Sequence, residues 1–327
     1  KYKNVKINVL DTSGHPDFIC DTLSTMQAAE MALFVVDAVA GPQVMTTKLW
    51  REAEGMRLSR AVFINHIDRE HADFDMAMAT LHARFGSRLG PVTIPIGQDA
   101  DFKGVIDVLR MKARYFDQDG TERIEPIPAE FADAAQAARD KLCDLVAEAD
   151  DELMMKYLEG EEQLTQNELE SLLDKAIAQE LFIPVFVGST IIKQGIQGLM
   201  EDICTYFPNP RSHGRFQMAD GTSIPIDETN RPAAFAFKTL SDPFVGRLSF
   251  LKVLSGVLEP GMELINARTG KKERLGHLYV MMGKEATDVK SAKAGDIIVV
   301  PKLAETRTGD TISLTGEIAV DPLPLPV

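Results

Sequence analysis

The chain has 327 residues, 45% of them hydrophobic and 26% charged, with 35 Lys and Arg against 49 Asp and Glu, a net charge of −14. That length exceeds one comfortable hydrophobic core, so two or three domains are expected. No run approaches the roughly 18 apolar residues that cross a bilayer, and so acidic a chain does not embrace DNA or RNA through bulk charge. The excess charge is local: positions 117–180 hold 19 acidic and 5 basic residues, an excess of 14, and the remainder is balanced. Cys20, Cys143 and Cys204 are isolated and odd in number. They fit neither a disulfide framework nor a metal site, which points to a reducing cytoplasm. The first residues lack the apolar core of a signal peptide.

In chain order, the alternating run at 5–10 predicts a strand, followed by a turn and a helix over 16–27. The near-continuous apolar run 32–38 predicts a strand buried on both faces of a parallel sheet. A helix over 43–57, a short buried strand at 61–64 and a helix over 73–85 follow. This alternation implies right-handed βαβ units and a doubly wound α/β sheet. From about 90 the texture changes to small strands at 91–96 and 104–115, a turn at 117–120, and acidic helices over 129–157 and 165–179. Thr165 with Glu168 three residues on has the capping-box pattern. Residues 184–189 return to the sheet and 195–206 form its last helix. The polar stretch 211–231 reads as a linker. Beyond it come strands alone, at 233–240, 247–257, 262–266, 274–282 and 296–301, whose spacing predicts a small closed barrel.

Three strand tips carry residues with chemical potential. Asp11-Thr12-Ser13-Gly14 fits the D-x-x-G pattern. Its aspartate can hold magnesium through a water, and its glycine lets a backbone N–H approach a terminal phosphate. His15 can orient an attacking water. Asn65-His66-Ile67-Asp68 offers a carboxylate able to accept from both N–H groups on one edge of guanine, which adenine lacks. Gly188-Ser189-Thr190 can donate backbone N–H groups to the base oxygen. Each motif alone is an ordinary turn or cap. Their order, each after a buried strand, describes a guanine nucleotide pocket.

With these residues the sequence resembles the translational GTPases, specifically the elongation factor G family. The stretch 7–18 (INVLDTSGHPDF), 104–107 (GVID) with 111–113 (MKA), and 157–162 (YLEGEE) carry the resemblance in the first part. In the second part 236–238 (AFK), 242–248 (DPFVGRL), 294–297 (AGDI) and 308–311 (TGDT) carry it. The resemblance implies a P-loop-type GTPase doubly wound sheet, incomplete here, with an inserted α+β subdomain and a following translation-factor β-barrel. It places the GTPase domain at 1–89 and 182–210, the acidic insertion at 90–181, a linker at 211–231 and the barrel at 232–327. It assigns nucleotide binding to Asp11, Thr12, Ser13, Gly14, His15, Asn65, His66, Ile67, Asp68, Gly188, Ser189 and Thr190, and catalysis to His15. GTP and Mg2+ would be the ligands, with Asp11 serving the metal through water. Three positions depart from the family pattern: Ser13 stands for the proline of D-T-P-G-H, His66 for the lysine of N-K-x-D, and Thr190 for an alanine.

No G-x-x-x-x-G-K-[ST] loop occurs in the sequence; Gly270-Lys271-Lys272 lacks the hydroxyl. The family carries that loop and the switch threonine upstream of the position of Lys1, and further domains downstream. The expectation is an internal fragment that lacks the phosphate loop, switch I and C-terminal domains, binds no nucleotide tightly and is hydrolytically inactive alone. The resemblance implies a cytoplasmic, ribosome-dependent GTPase that drives tRNA–mRNA translocation or ribosome recycling. Its barrel would rest on small-subunit RNA and its acidic insertion on the ribosomal stalk protein, with no membrane and no DNA partner. A non-catalytic ribosome-binding module and a ribosomal protection protein are the alternatives.

Overall fold

The computed structural model describes residues 1–327 except 118–120, 160–163, 212–214, 219–220, 244 and 321–327. The turn expected at 117–120, most of the 157–162 motif and Phe244 of the 242–248 motif lie outside the described residues. The chain divides into two compact units. One comprises residues 1–7 and 31–208; the other comprises 8–30 and 209–327.

In the first unit, β1 (Met31–Asp37), α2 (Val44–Gly55), β2 (Ser59–Asn65) and α3 (Phe74–Phe85) build the βαβ pattern, and α1 (Ile19–Met26) belongs to the second unit. β3 (Leu89–Pro91) follows, and β8 (Ile183–Val187) and α7 (Ile196–Tyr206) return after the insertion. The four strands pair in the order β1-β2-β8-β3, all parallel. Every residue of β2 and of β8 is buried, as a strand between parallel neighbours demands. β1 departs from the expectation of burial on both faces. It is an end strand paired only to β2, and Leu33 and Val35 are 39% and 59% exposed while Val36 is buried. On its covered side Phe34 meets Trp50 at 5.0 Å, and Trp50 stacks on Phe85 at 4.1 Å with the Arg60 guanidinium above the indole.

The expected strand at 5–10 does not form. Only an isolated bridge, Tyr2 to Val5, is made there, and Val9 is 79% exposed. Alternation marks a candidate strand, but a strand exists only with a ladder partner, and none pairs with this segment among the described residues.

The insertion contains an antiparallel sheet in the order β4-β5-β6-β7, with β4 (Thr93–Ile96), β5 (Gly104–Asp107), β6 (Lys112–Phe116) and β7 (Glu122–Glu125). Helices α4 (Ala132–Ala147), α5 (Asp151–Glu159) and α6 (Gln166–Ala178) follow; residues 148–150 break the single long helix expected. Thr165 and Glu168 form the expected capping box. Leu142, Val146, Leu169, Leu172 and Leu173 face inward and join the same core as β2 and β8, so the acidic residues are left on the outer faces. Arg114 locks the sheet to α7. Its buried guanidinium meets Glu201 on α7 at 2.6 Å, Asp107 at 3.4 Å and Glu122. Burial pushes Arg114 down, but its hydrogen bonds to Glu122 and Glu201 outweigh that and hold it above the ordinary value.

In the second unit the 211–231 stretch contains a small hairpin of β9 (Arg215–Gln217) and β10 (Ser223–Pro225) where a linker was expected. Gly221, at φ +80°, takes the left-handed conformation near its turn. The remaining strands are β11 (Ala233–Asp242), β12 (Gly246–Ser255), β13 (Val257–Leu258), β14 (Glu263–Asn266), β15 (Lys272–Arg274), β16 (Leu278–Met282), β17 (Glu285–Val289), β18 (Ala292–Lys293), β19 (Ile297–Pro301) and β20 (Thr311–Ser313). Eight of them form one antiparallel sheet in the order β15-β14-β20-β11-β12-β19-β16-β17. Helix α1 is tied to this sheet by Lys238–Asp21 at 3.0 Å, and the residues after it by the buried Lys252 with Glu30. Asp310 bolts the strand ends together, accepting from Arg268, Asn266 and the backbone N–H of Arg307.

Replacing Arg114 with Met is expected to cost about 3 kcal/mol, because the buried Asp107 and the part-buried Glu122 and Glu201 lose their shared cation. Urea unfolding of R114M against the parent measures it.

Candidate functional site

Asn65 closes β2, and its side-chain amide joins two loops. Oδ1 accepts from the backbone N–H of His66 at 2.9 Å and from that of Thr190 at 3.0 Å. Nδ2 donates to Thr190 Oγ1 at 3.2 Å and lies 3.3 Å from Nε2 of His66. The parallel pairing of β2 with β8 sets the two strand tips side by side, and the buried Asn65 holds the loops beyond them together. The contacts continue through the backbone: Ile67, fully buried, donates to the Gly188 carbonyl, and Gly188 donates to the Ile64 carbonyl. A Cβ at Gly188 would sit 2.3 Å from the carbonyl oxygen of Gln194, so the close approach requires glycine.

His66 adopts a left-handed φ of +63°. Its Nδ1 meets Asp37 Oδ2 at 2.9 Å, and its side chain is 23% exposed. Asp68 follows with a telling environment. Its Oδ1 is enclosed by protein yet has no hydrogen-bond partner among the described residues. A shielded carboxylate oxygen without a donor is costly in an isolated fold.

The third motif departs in detail from its expected role. The backbone N–H groups of Gly188, Ser189 and Thr190 are each engaged, with the Ile64 carbonyl, the Gln194 carbonyl and Asn65 Oδ1. The buried Ser189 hydroxyl accepts from Ile191 N at 3.2 Å. The loop therefore braces Asn65 and caps its own turn, and its three amides are not standing free for a base oxygen.

Asp11, Thr12, Ser13, Gly14 and His15 belong to the other compact unit, and all five are exposed. Ser13 Oγ accepts from His15 N at 3.1 Å, and the Ser13 carbonyl accepts from Thr22 Oγ1 at 3.1 Å. His15 caps the short 3-10 turn at Pro16–Phe18, its Nδ1 accepting from Asp17 N at 3.3 Å. Its ring lies edge-on to Phe18 at 6.2 Å. A Cβ on Gly14 would meet nothing within 4 Å. Asp11 is a single exposed carboxylate. Magnesium in phosphoryl-transfer sites takes one or two carboxylates together with substrate phosphates and waters, so Asp11 suits one position of such a shell and does not build it alone.

Asp37 and Arg69 escaped the sequence reading. Asp37 ends a hydrophobic strand and Arg69 follows the N-x-x-D run, and both contact the site only because parallel pairing aligns Asp37 with Asn65. The signal available was a lone acidic residue at the tip of an apolar strand.

A parallel sheet with the N-x-x-D run at one strand tip, together with a D-x-x-G-H segment elsewhere in the chain, fits a GTPase of the translation-factor type. Comparison with known families agrees. Residues 1–209 match the elongation factor Tu GTP binding domain, and residues 231–315 match elongation factor G domain 2. The chain belongs to the translation-factor GTPase family. It is similar to a Thermus thermophilus protein known from a crystal structure, at 30% identity and a TM-score of 0.81. The match covers 95% of this chain and 45% of that one, so the chain spans about half the length of that relative.

Replacing Asn65 with Ala leaves the amides of His66 and Thr190 without their acceptor. The expected loss is about 1–3 kcal/mol of stability, read from chemical denaturation.

Proposed function

We propose that this chain is the guanine-reading and second-domain portion of a ribosome-dependent GTPase of the elongation factor G kind, acting in tRNA–mRNA translocation or ribosome recycling. The observation that carries the reading is the N-x-x-D run at the tip of the fully buried β2, where Asn65 already braces the neighbouring loop and Asp68 is partly exposed beside it. A guanine ring presents two adjacent N–H donors on one edge, and a carboxylate can accept both. Adenine presents no such pair, so it cannot satisfy the carboxylate and is rejected.

Within that reading Asn65, His66, Ile67 and Asp68 hold the base, while Gly188, Ser189 and Thr190 brace it from the neighbouring strand. The family resemblance assigns phosphate binding to Asp11, Thr12, Ser13 and Gly14, with Asp11 serving Mg2+ through a water. Magnesium, when bound with GTP, neutralises charge on the β- and γ-phosphates. His15 orients the hydrolytic water; its exposed ring is held locally, by Asp17 N, the Asp17 carboxylate at 3.5 Å and the Phe18 ring. The eight-stranded sheet curls into the family's barrel and rests on small-subunit RNA. The outward acidic faces of the insertion dock the basic surface of the stalk protein, a contact of charge complementarity.

Two outcomes test this in the full-length protein. Asp68→Asn places an amide N–H where guanine donates, so GTP binding should fall by about a hundredfold or more. Xanthine nucleotides, whose edge offers an acceptor in place of the amino group, should gain; equal losses for both bases would remove Asp68 from base reading. His15→Ala should lower ribosome-stimulated GTP hydrolysis by roughly 10²–10⁴-fold with nucleotide affinity unchanged, as stopped-flow phosphate release would show.

A further inference from the structure

The Asp37 carboxylate, at the tip of β1, gathers four donors. Oδ1 accepts from the backbone N–H groups of Val39 and Ala40, each at 3.0 Å. Oδ2 faces Nδ1 of His66 at 2.9 Å and accepts from the Arg69 guanidinium at 3.0 Å. Burial pushes Asp37 upward, but the amide of Ala40, the His66 ring, the amide of Val39 and the charge of Arg69 outweigh it. They hold the carboxyl below its usual range, so it is an anion whenever the protein is near neutral pH.

The contacts assign the proton on His66. A carboxylate only accepts, so Nδ1 carries the hydrogen. Nε2 faces Nδ2 of Asn65, a group that only donates, so Nε2 accepts. The neutral ring protonated on Nδ1 satisfies both neighbours, and the opposite tautomer satisfies neither. One hydrogen-bonded chain thus runs from Asp37 through His66 and Asn65 to Thr190, across three strand tips. It begins on the strand beside the base-reading loop and ends on the loop of β8. The left-handed φ of His66 is a conformation that L residues hold only when their surroundings fix it.

We propose that Asp37 is a positioning residue for guanine recognition. It fixes the His66 imidazole, in its Nδ1–H form, as a flat cover for the purine face, and through Asn65 it keeps both base loops in register. An imidazole offers a stacking surface to a base, but on a side chain with two free torsions it does so reproducibly only when a neighbour holds it. Asp37 supplies that hold without touching the nucleotide.

This inference rests on the guanine reading of Asp68, and the experiment separates the two. Asp37→Asn keeps an oxygen for Val39 and Ala40 but turns an amide N–H toward His66, which forces the ring to its other tautomer. In the full-length protein, D37N should weaken binding of a fluorescent GDP derivative roughly tenfold. In the H66A background the same substitution should leave affinity unchanged. Imidazole 15N spectra of the nucleotide-free parent should show His66 protonated on Nδ1, and those of D37N should show it on Nε2. Equal losses in both backgrounds would make Asp37 a merely structural cap and overturn the proposal, as would an unchanged affinity in D37N. Should D37N fail to fold, Asp37→Ala in the same two backgrounds decides by the same criterion. A parent that binds no GDP while its His66 carries the Nδ1 proton would refute the guanine reading, and this role with it, while leaving the Asp37–His66 contact itself intact.

Discussion

The cross-link made by the Asn65 amide is the constraint on which the site depends. Two parallel strands deliver their C-terminal tips to one edge of the sheet, but strand pairing alone says nothing about the loops beyond. A side chain with two acceptor lone pairs and two donor hydrogens can tie both loops at once, and Asn65 uses all of that capacity on His66 and Thr190. Because Asn65 is buried, these bonds compete with little water and act as a fixed frame. Asp68 follows in the same loop, with one oxygen shielded and without a hydrogen-bond partner among the described residues.

Much of the architecture could be read from the chain. The βαβ order, the fully buried β2 and β8, the Thr165–Glu168 capping box and the strand-only second part all rest on local periodicity and turn chemistry, which sequence displays directly. The errors share one physical origin. Residues 5–10 have the alternation of a strand and β1 has the composition of a doubly buried one, yet both outcomes are set by who lies alongside. Pairing partners are non-local, and no window of sequence contains them. The hairpin at 215–225 was hidden for the complementary reason, since its polar residues mask a two-stranded ribbon that only backbone hydrogen bonds define.

The site shows the same division. Motif order made Asn65, Asp68 and Gly188 candidates, and the pairing of β2 with β8 brings the loops of Asn65 and Gly188 side by side. Asp37 was not, because its importance arises from lying opposite Asn65 in the β1–β2 register, a fact of topology. The expected use of the amides at 188–190 failed in detail for the same reason: where a backbone N–H points depends on the carbonyls of Ile64, far back in the chain, and of Gln194, across the turn. The acidic insertion adds a further lesson. Its charge is a surface property, while its leucines share one core with the parallel sheet and Arg114 anchors it to α7 through carboxylates from both sides.

Trp50 is the chain's single tryptophan, sandwiched by Phe34 and Phe85 beneath the Arg60 guanidinium. Intrinsic emission excited at the red edge of indole absorption therefore originates from one point, on the α2 flank of the parallel sheet. The antiparallel unit is dark at that wavelength. Tryptophan emission thus follows the parallel-sheet unit in isolation, while far-ultraviolet circular dichroism sums both. A gap between the two signals during unfolding would resolve the units without any label being attached.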